Sequence, residues 1–86
     1  MLFLIELIGT FIFLSAILTY AGKNTHAAAI IGLVLAAMVY WGGGHYNPAA
    51  TLMYYMVDPS SGSDAIVRIA AQVVGAVAAF YWPKVL

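Results

Sequence analysis

Gly42-Gly43-Gly44-His45-Tyr46-Asn47-Pro48-Ala49-Ala50-Thr51-Leu52 is the stretch that decides the fold of this chain. Each glycine costs a helix interior about 1 kcal/mol relative to alanine, so three in succession read as irregular backbone. Asn47 has the side chain of an N-cap, and Pro48 suits the first helical position, where a missing N–H costs nothing. The pattern predicts a short helix over 48–57, stopped by Asp58-Pro59. At 1.5 Å per residue such a helix spans ~15 Å, about half of a ~30 Å hydrocarbon core. Between strongly apolar flanks, that length describes a re-entrant half-helix. Loose backbone at membrane depth is tolerated only where it is buried in protein or lines a water-filled cavity. The amino end of the half-helix carries free N–H groups and the positive end of the helix dipole. Stopped near mid-membrane, it makes a polar, cation-repelling point, which suits a channel for neutral solutes.

The composition agrees with that setting. The chain has 86 residues, of which 65% are hydrophobic and 7% charged, against about 25% charged in an ordinary soluble domain. One all-α, integral membrane domain over 1–86 is expected, in contact with lipid. A formal net charge of zero gives no electrostatic case for nucleic acid. The absence of cysteine removes disulfide and thiol chemistry. The first apolar stretch lacks a basic leader, so it reads as a retained helix and not a cleaved signal. With no paired carboxylates, no nucleophile–base set and no cluster of metal ligands, the sequence reads as a non-enzyme without cofactor or metal.

Outward from the half-helix, residues 1–20 form a span with one charge, Glu6. A polar turn follows at 21–25, with Gly22 as the helix stop. Residues 26–41 form a second, shorter apolar run that hands over to the glycines. After the half-helix, 58–64 is a polar connection in which Ser61 and Asp64 have the spacing of a helix start. A last helix over 64–82 is apolar except for Arg68 and Gln72, and ends at Pro83-Lys84. The expected architecture is three transmembrane helices plus one re-entrant half-helix, a multi-pass arrangement. Tyr40, Trp41, Tyr54, Tyr55, Tyr81 and Trp82 read as interface anchors and packing groups, and His26 as a wet interfacial residue. Arg68 is expected to reach the polar end of the last helix.

Glu6 lies about a turn and a half into the first span, where a carboxylate costs a few kcal/mol and needs a partner or a function. Gln72 is either general glue between helices or a specific brace. Gly9 and Gly75, with Ala76 and Ala79, supply small faces on which helix backbones pack closely. His45 has no second ligand at metal spacing, and its place in the loop points its backbone carbonyl toward the pore.

Residues 43–52, Gly43-Gly44-His45-Tyr46-Asn47-Pro48-Ala49-Ala50-Thr51-Leu52, closely resemble the first-half signature loop of the aquaporin and aquaglyceroporin (major intrinsic protein) family. Glu6-Leu7-Ile8-Gly9-Thr10-Phe11 resembles the first-helix motif of that family, and Ala71-Gln72-Val73-Val74-Gly75-Ala76 its third-helix motif. The resemblance covers nearly the whole chain, which corresponds to one half of a family member; full-length members carry two halves in tandem, inserted with opposite orientation. It implies that Glu6 and Gln72 brace the signature loop, and that Gly43, Gly44, His45, Asn47, Ala49 and Ala50 line the pore. Spaced from Asn47, the family's constriction positions fall at Ala27, Leu35 and Gly44. Ala50 stands where a second half carries an arginine. Two such halves would build a wide pore lacking that arginine, which favours small neutral solutes such as glycerol beside water.

A half-helix that stops at the midplane needs an opposing copy, so the expected partner is a second copy of the same chain. The pairing is an antiparallel inverted-repeat dimer, with higher oligomers built from it. Lys23 and Lys84 fall on one side, the N-terminal amine and Arg68 on the other. That balance gives almost no orienting bias, and dual topology is expected. Three alternatives stand beside this reading. One is a small dual-topology transporter in which Glu6 exchanges protons for a cationic solute; another is a non-transporting, holin-like membrane subunit. The third is a fragment of a full-length aquaporin, although the start at Met1 and the polar end at Pro83-Lys84 suit a complete chain.

Overall fold

Short polar turns cut the apolar sequence into four helices. In the computed structural model, which describes residues 1–85, these are α1 (Leu2–Tyr20), α2 (Ala27–Gly42), α3 (Pro48–Val57) and α4 (Gly62–Val85). A 3₁₀ turn at Pro59–Ser61 leads straight into α4. Leu2–Tyr20 and the continuous helical run Pro59–Val85 are each long and apolar enough to cross a membrane. The 16 residues of α2 rise about 24 Å, less than a full hydrocarbon core.

Each boundary has a local cause. α1 ends at Tyr20; the Ala21 N–H donates to the Ile17 carbonyl, Lys23 Nζ donates to the Leu18 carbonyl, and Gly22 takes a positive φ within the turn. Gly42 is the last residue of α2, and Gly43 closes it in the left-handed region (φ 64°), its N–H reaching the Val39 carbonyl at 2.8 Å. That conformation is cheap only for glycine. Asn47 caps α3 with Oδ1 accepting the Ala49 N–H at 2.8 Å, and Pro48 occupies the first turn.

Two expectations about α4 need correction. Ser61 does not cap it: its hydroxyl donates to the Asp58 carbonyl, while Asp58 Oδ1 accepts the Ser60 N–H and caps the 3₁₀ turn. The helix therefore begins at Gly62, with Asp64 inside its first turn. At the other end α4 continues past Trp82 to Val85, with Pro83 inside it. A proline this near the end removes a single backbone bond, and Lys84 closes the turn by donating from Nζ to the Phe80 carbonyl at 3.0 Å.

α1 and α4 form the spine. α2 packs on α1, α3 packs on α4, and no direct contact links α2 to α3. Small residues let the spine helices approach. A Cβ on Gly75 would stand 2.8 Å from the Leu7 carbonyl oxygen and 3.2 Å from the Phe11 nitrogen. Farther along, the Trp82 indole N–H donates to Ser15 Oγ, and its ring meets Phe11 edge-on. Among the described residues the buried apolar side chains are only Ala16, Tyr46, Ala71 and Ala79, whereas Glu6, Thr10, Thr51 and Gln72 are buried polar ones. Large apolar residues such as Leu4, Leu33, Ile66, Val77 and Phe80 face outward. A polar centre inside an apolar skin suits a surrounding of lipid better than water.

This packing makes a contrast between two glycines testable. Gly75→Ala drives a methyl group into the α1 backbone and is expected to destabilise the fold by about 1–3 kcal/mol. Gly32, with nothing within 4 Å of its would-be Cβ, should accept alanine without loss. Denaturant unfolding in micelles, followed by helical circular dichroism, measures both; equal effects would rule out the close α1–α4 crossing.

Candidate functional site

The buried charge of α1 organises the site. The Glu6 side chain has no exposure, and its carboxylate is ringed by donors from two other parts of the chain. The His45 N–H reaches Oε2 and the Tyr46 N–H reaches Oε1, both at 2.8 Å. From α4, Arg68 donates from Nη1 to Oε2 in an ion pair, and Gln72 donates from Nε2 to Oε1 at 3.1 Å. Arg68 and Gln72 are one helical turn apart, so a single face of α4 presents both.

The loop before α3 is shaped to make those contacts. Tyr46 takes a positive φ of 57°, a strain of about 1–2 kcal/mol for a residue with a Cβ. Burial of the ring and a bond from its hydroxyl to the Met38 carbonyl at 2.6 Å offset that strain. The ring lies against Gly9 and Gly44, where a Cβ would approach it to 2.0 and 2.6 Å. Thr51, on the first turns of α3, completes the connection: Gln72 Nε2 donates to its Oγ1 at 2.9 Å, and His45 Nδ1 lies 2.9 Å from the same oxygen. The His45 ring stacks on Tyr54 at a centroid distance of 4.5 Å.

The residues singled out in sequence therefore fall into groups. Glu6, Gln72 and His45 meet in one network. Gly9 seats the Tyr46 ring, and Gly75 seats the α1 backbone. Gly44 is buried beneath Tyr46, while Gly43, Asn47 and Ala49 are exposed and Ala50 is half-buried. Ala27 and Leu35 are half-buried on α2 and border neither of the recesses that hold Asn47 and His45. Arg68 corrects an expectation: instead of reaching the polar end of its helix, it pairs with Glu6. A cation and a carboxylate, each placed in a long apolar helix, were a signal for that pair. Thr51 and Tyr46 had no role in the sequence reading. Both roles depend on tertiary fit, of Thr51 to Gln72 and His45 and of Tyr46 to Gly9, and neither leaves a local sign.

Two recesses flank the network. One, of about 440 Å³, holds Asn47 and Pro48 against Thr10, Phe13 and Gln72. Of its lining residues, Thr10 and Gln72 each have a buried oxygen, Oγ1 and Oε1, without a hydrogen-bond partner. The other, of about 240 Å³, is bordered by His45, Thr51, Tyr54, Asp64 and Arg68. Among the described residues no group of three or more His, Cys, Asp or Glu side chains is placed to hold a metal ion. No protein-family model, no curated protein and no solved structure matches the chain.

Loss of the Glu6 charge is expected to release the loop. Glu6→Gln leaves Arg68 without its counter-charge, at a cost of about 3–5 kcal/mol typical of half a broken buried pair. Pairing it with Arg68→Met should recover part of that loss. Hydrogen exchange of the His45 and Tyr46 amides, together with denaturant midpoints, reads both effects. Unchanged amide protection in Glu6→Gln would show that the carboxylate does not hold the loop.

Proposed function

We propose that the protein is a membrane channel for passive permeation of water and small neutral solutes such as glycerol, built as one half of an aquaporin-like pore. The observation that carries this reading is the end of α3. Asn47 uses Oδ1 to cap the helix and is itself exposed, so its amide N–H₂ has no protein partner among the described residues and can donate to a solute oxygen. The backbone immediately before it is held by a buried carboxylate. A fixed donor beside the positive end of a helix dipole attracts oxygen atoms and repels cations.

In this reading α1 and α4 span the bilayer, the shorter α2 crosses most of it before handing over to the loop, and α3 enters halfway. A second copy, inverted about an axis in the membrane plane, brings its own α3 tip against the first. The open recess around Asn47 and Pro48 supports seating for that copy. Two half-helices of ~15 Å then cover a ~30 Å core, and further oligomerisation of such pairs accords with the apolar outer faces. The weak Lys/Arg asymmetry supports insertion in both orientations.

Passive conduction is favoured over proton exchange by the surroundings of Glu6. Its two oxygens accept four donors and face Arg68, which leaves no position for a transferable proton. Stopped-flow swelling of proteoliposomes with water and glycerol gives the test. Flux is expected in the parent protein, insensitive to an imposed pH gradient, and reduced to the lipid background in Asn47→Leu that still inserts. Normal flux in Asn47→Leu removes the pore-centre role of Asn47, and uptake driven by a pH gradient overturns the channel.

The antiparallel pairing has its own test. Two or three lysines added beside Lys23, or separately within 60–63, should fix opposite orientations and silence each variant alone. Co-expression of the two should restore flux. Full activity from either variant alone would exclude the antiparallel pore.

A further inference from the structure

The hydrogen bonds that lead away from Glu6 fix where the protons lie as far as His45. A carboxylate ringed by four donors acts only as an acceptor, so Gln72 must turn its Nε2, and not its Oε1, toward Glu6. That amide nitrogen has two hydrogens. One goes to Glu6, and the other goes to Thr51 Oγ1 at 2.9 Å. Thr51 is therefore an acceptor from Gln72 and has one hydrogen of its own to place. Among the described residues its only other hydrogen-bond partner is His45 Nδ1 at 2.9 Å. A donor at Nδ1 would leave the Thr51 hydroxyl hydrogen unpaired in a residue that is 1% exposed, which buried polar groups avoid. Nδ1 must then be the acceptor, and the remaining ring proton sits on Nε2.

We propose that Thr51 is a positioning residue that holds His45 as the neutral Nε2–H tautomer, and that this N–H serves the adjoining recess as a fixed donor for the oxygen atoms of small neutral solutes. The second half of this statement rests on the channel reading; the first does not. Nε2 has no protein partner among the described residues, and the stack on Tyr54 fixes the plane of the ring. The recess of about 240 Å³ also has Arg68 and Asp64 on its walls. A site lined by donors and by a carboxylate acceptor matches a polyol, which offers both hydroxyl hydrogens and lone pairs. An ion of either sign meets a lining group of its own charge, Asp64 or Arg68. The same arrangement disfavours an imidazolium, which would add a second cation beside Arg68.

Nitrogen NMR of the histidine-labelled full chain in lipid tests both halves. The chain has two histidines, and His26→Gln assigns the signals. The parent protein and Thr51→Ser should show an unprotonated Nδ1 and a protonated Nε2 at His45. Thr51→Val, similar in shape but without the hydroxyl, should lose that bias. Added glycerol should shift the Nε2–H signal of the parent protein. A protonated Nδ1 in the parent protein, or an unchanged tautomer in Thr51→Val, overturns the positioning role. If Thr51→Val fails to fold, the parent and Thr51→Ser spectra decide the same point. A correct tautomer with no glycerol shift overturns the solute site alone. Absence of solute flux in the swelling assay sinks the channel reading and leaves the tautomer result intact.

Discussion

A carboxylate removed from water beside apolar helices costs several kcal/mol unless donors surround it, and Glu6 imposes that requirement on every element around it. α4 meets it with Arg68 and Gln72, one turn apart on the face that crosses α1. The loop meets it by turning two successive N–H groups inward. Two consecutive inward amides are incompatible with an extended strand, and here they accompany a left-handed residue at Tyr46, the kind of turn that makes a concave anion site. Once there, the Tyr46 side chain needs a seat. Gly9, one turn of α1 beyond Glu6, provides it.

The pair of Glu6 and Arg68 is better understood as a register device than as a source of stability. A buried ion pair roughly breaks even against apolar residues of equal volume, but removing one partner is severely penalised. Sliding α4 by one residue would rotate Arg68 and Gln72 off the α1 face and strand the carboxylate. The small residues on the same face act in concert, because Gly75 admits the α1 backbone at only one crossing. Apolar packing alone sets no such register: the exposed leucines, valines and isoleucines could contact lipid in many arrangements. The polar core therefore chooses among arrangements that hydrophobicity leaves nearly equal.

Local chemistry made some of this visible in the sequence. Asn47 and Pro48 announce the start of α3, and Asp58-Pro59 its end, because capping and proline geometry act within a few residues. The α4 boundaries were less legible. Ser61 had two acceptable partners, and the backbone of the preceding turn won it; Pro83 sat so near the end that its missing N–H cost only one bond. Glu6 and Gln72 stood out as polar residues in apolar helices. Arg68 was harder to place, since a long side chain can reach either the helix end or the interior. Its partner lies 62 residues away. Tyr46 and Thr51 depend on tertiary fit, and nothing in their immediate neighbours marks the role of either.

The recess beside Asn47 concentrates polarity that the single chain leaves unused. Thr10 and Gln72, which line it, each have a buried oxygen without a partner, and the exposed Asn47 has an amide with no protein partner among the described residues. An unsatisfied polar group in hydrocarbon carries a penalty of several kcal/mol, and in a membrane lipid chains would not satisfy the exposed Asn47 amide. Only water or another polypeptide can do so. In the proposed antiparallel pair both are supplied at once, because the facing tip closes the recess against lipid and the space between the tips admits water. A parallel neighbour would leave each tip opposite hydrocarbon. The requirement that places donors around Glu6 thus recurs at Asn47, where the proposed second copy would supply the partner.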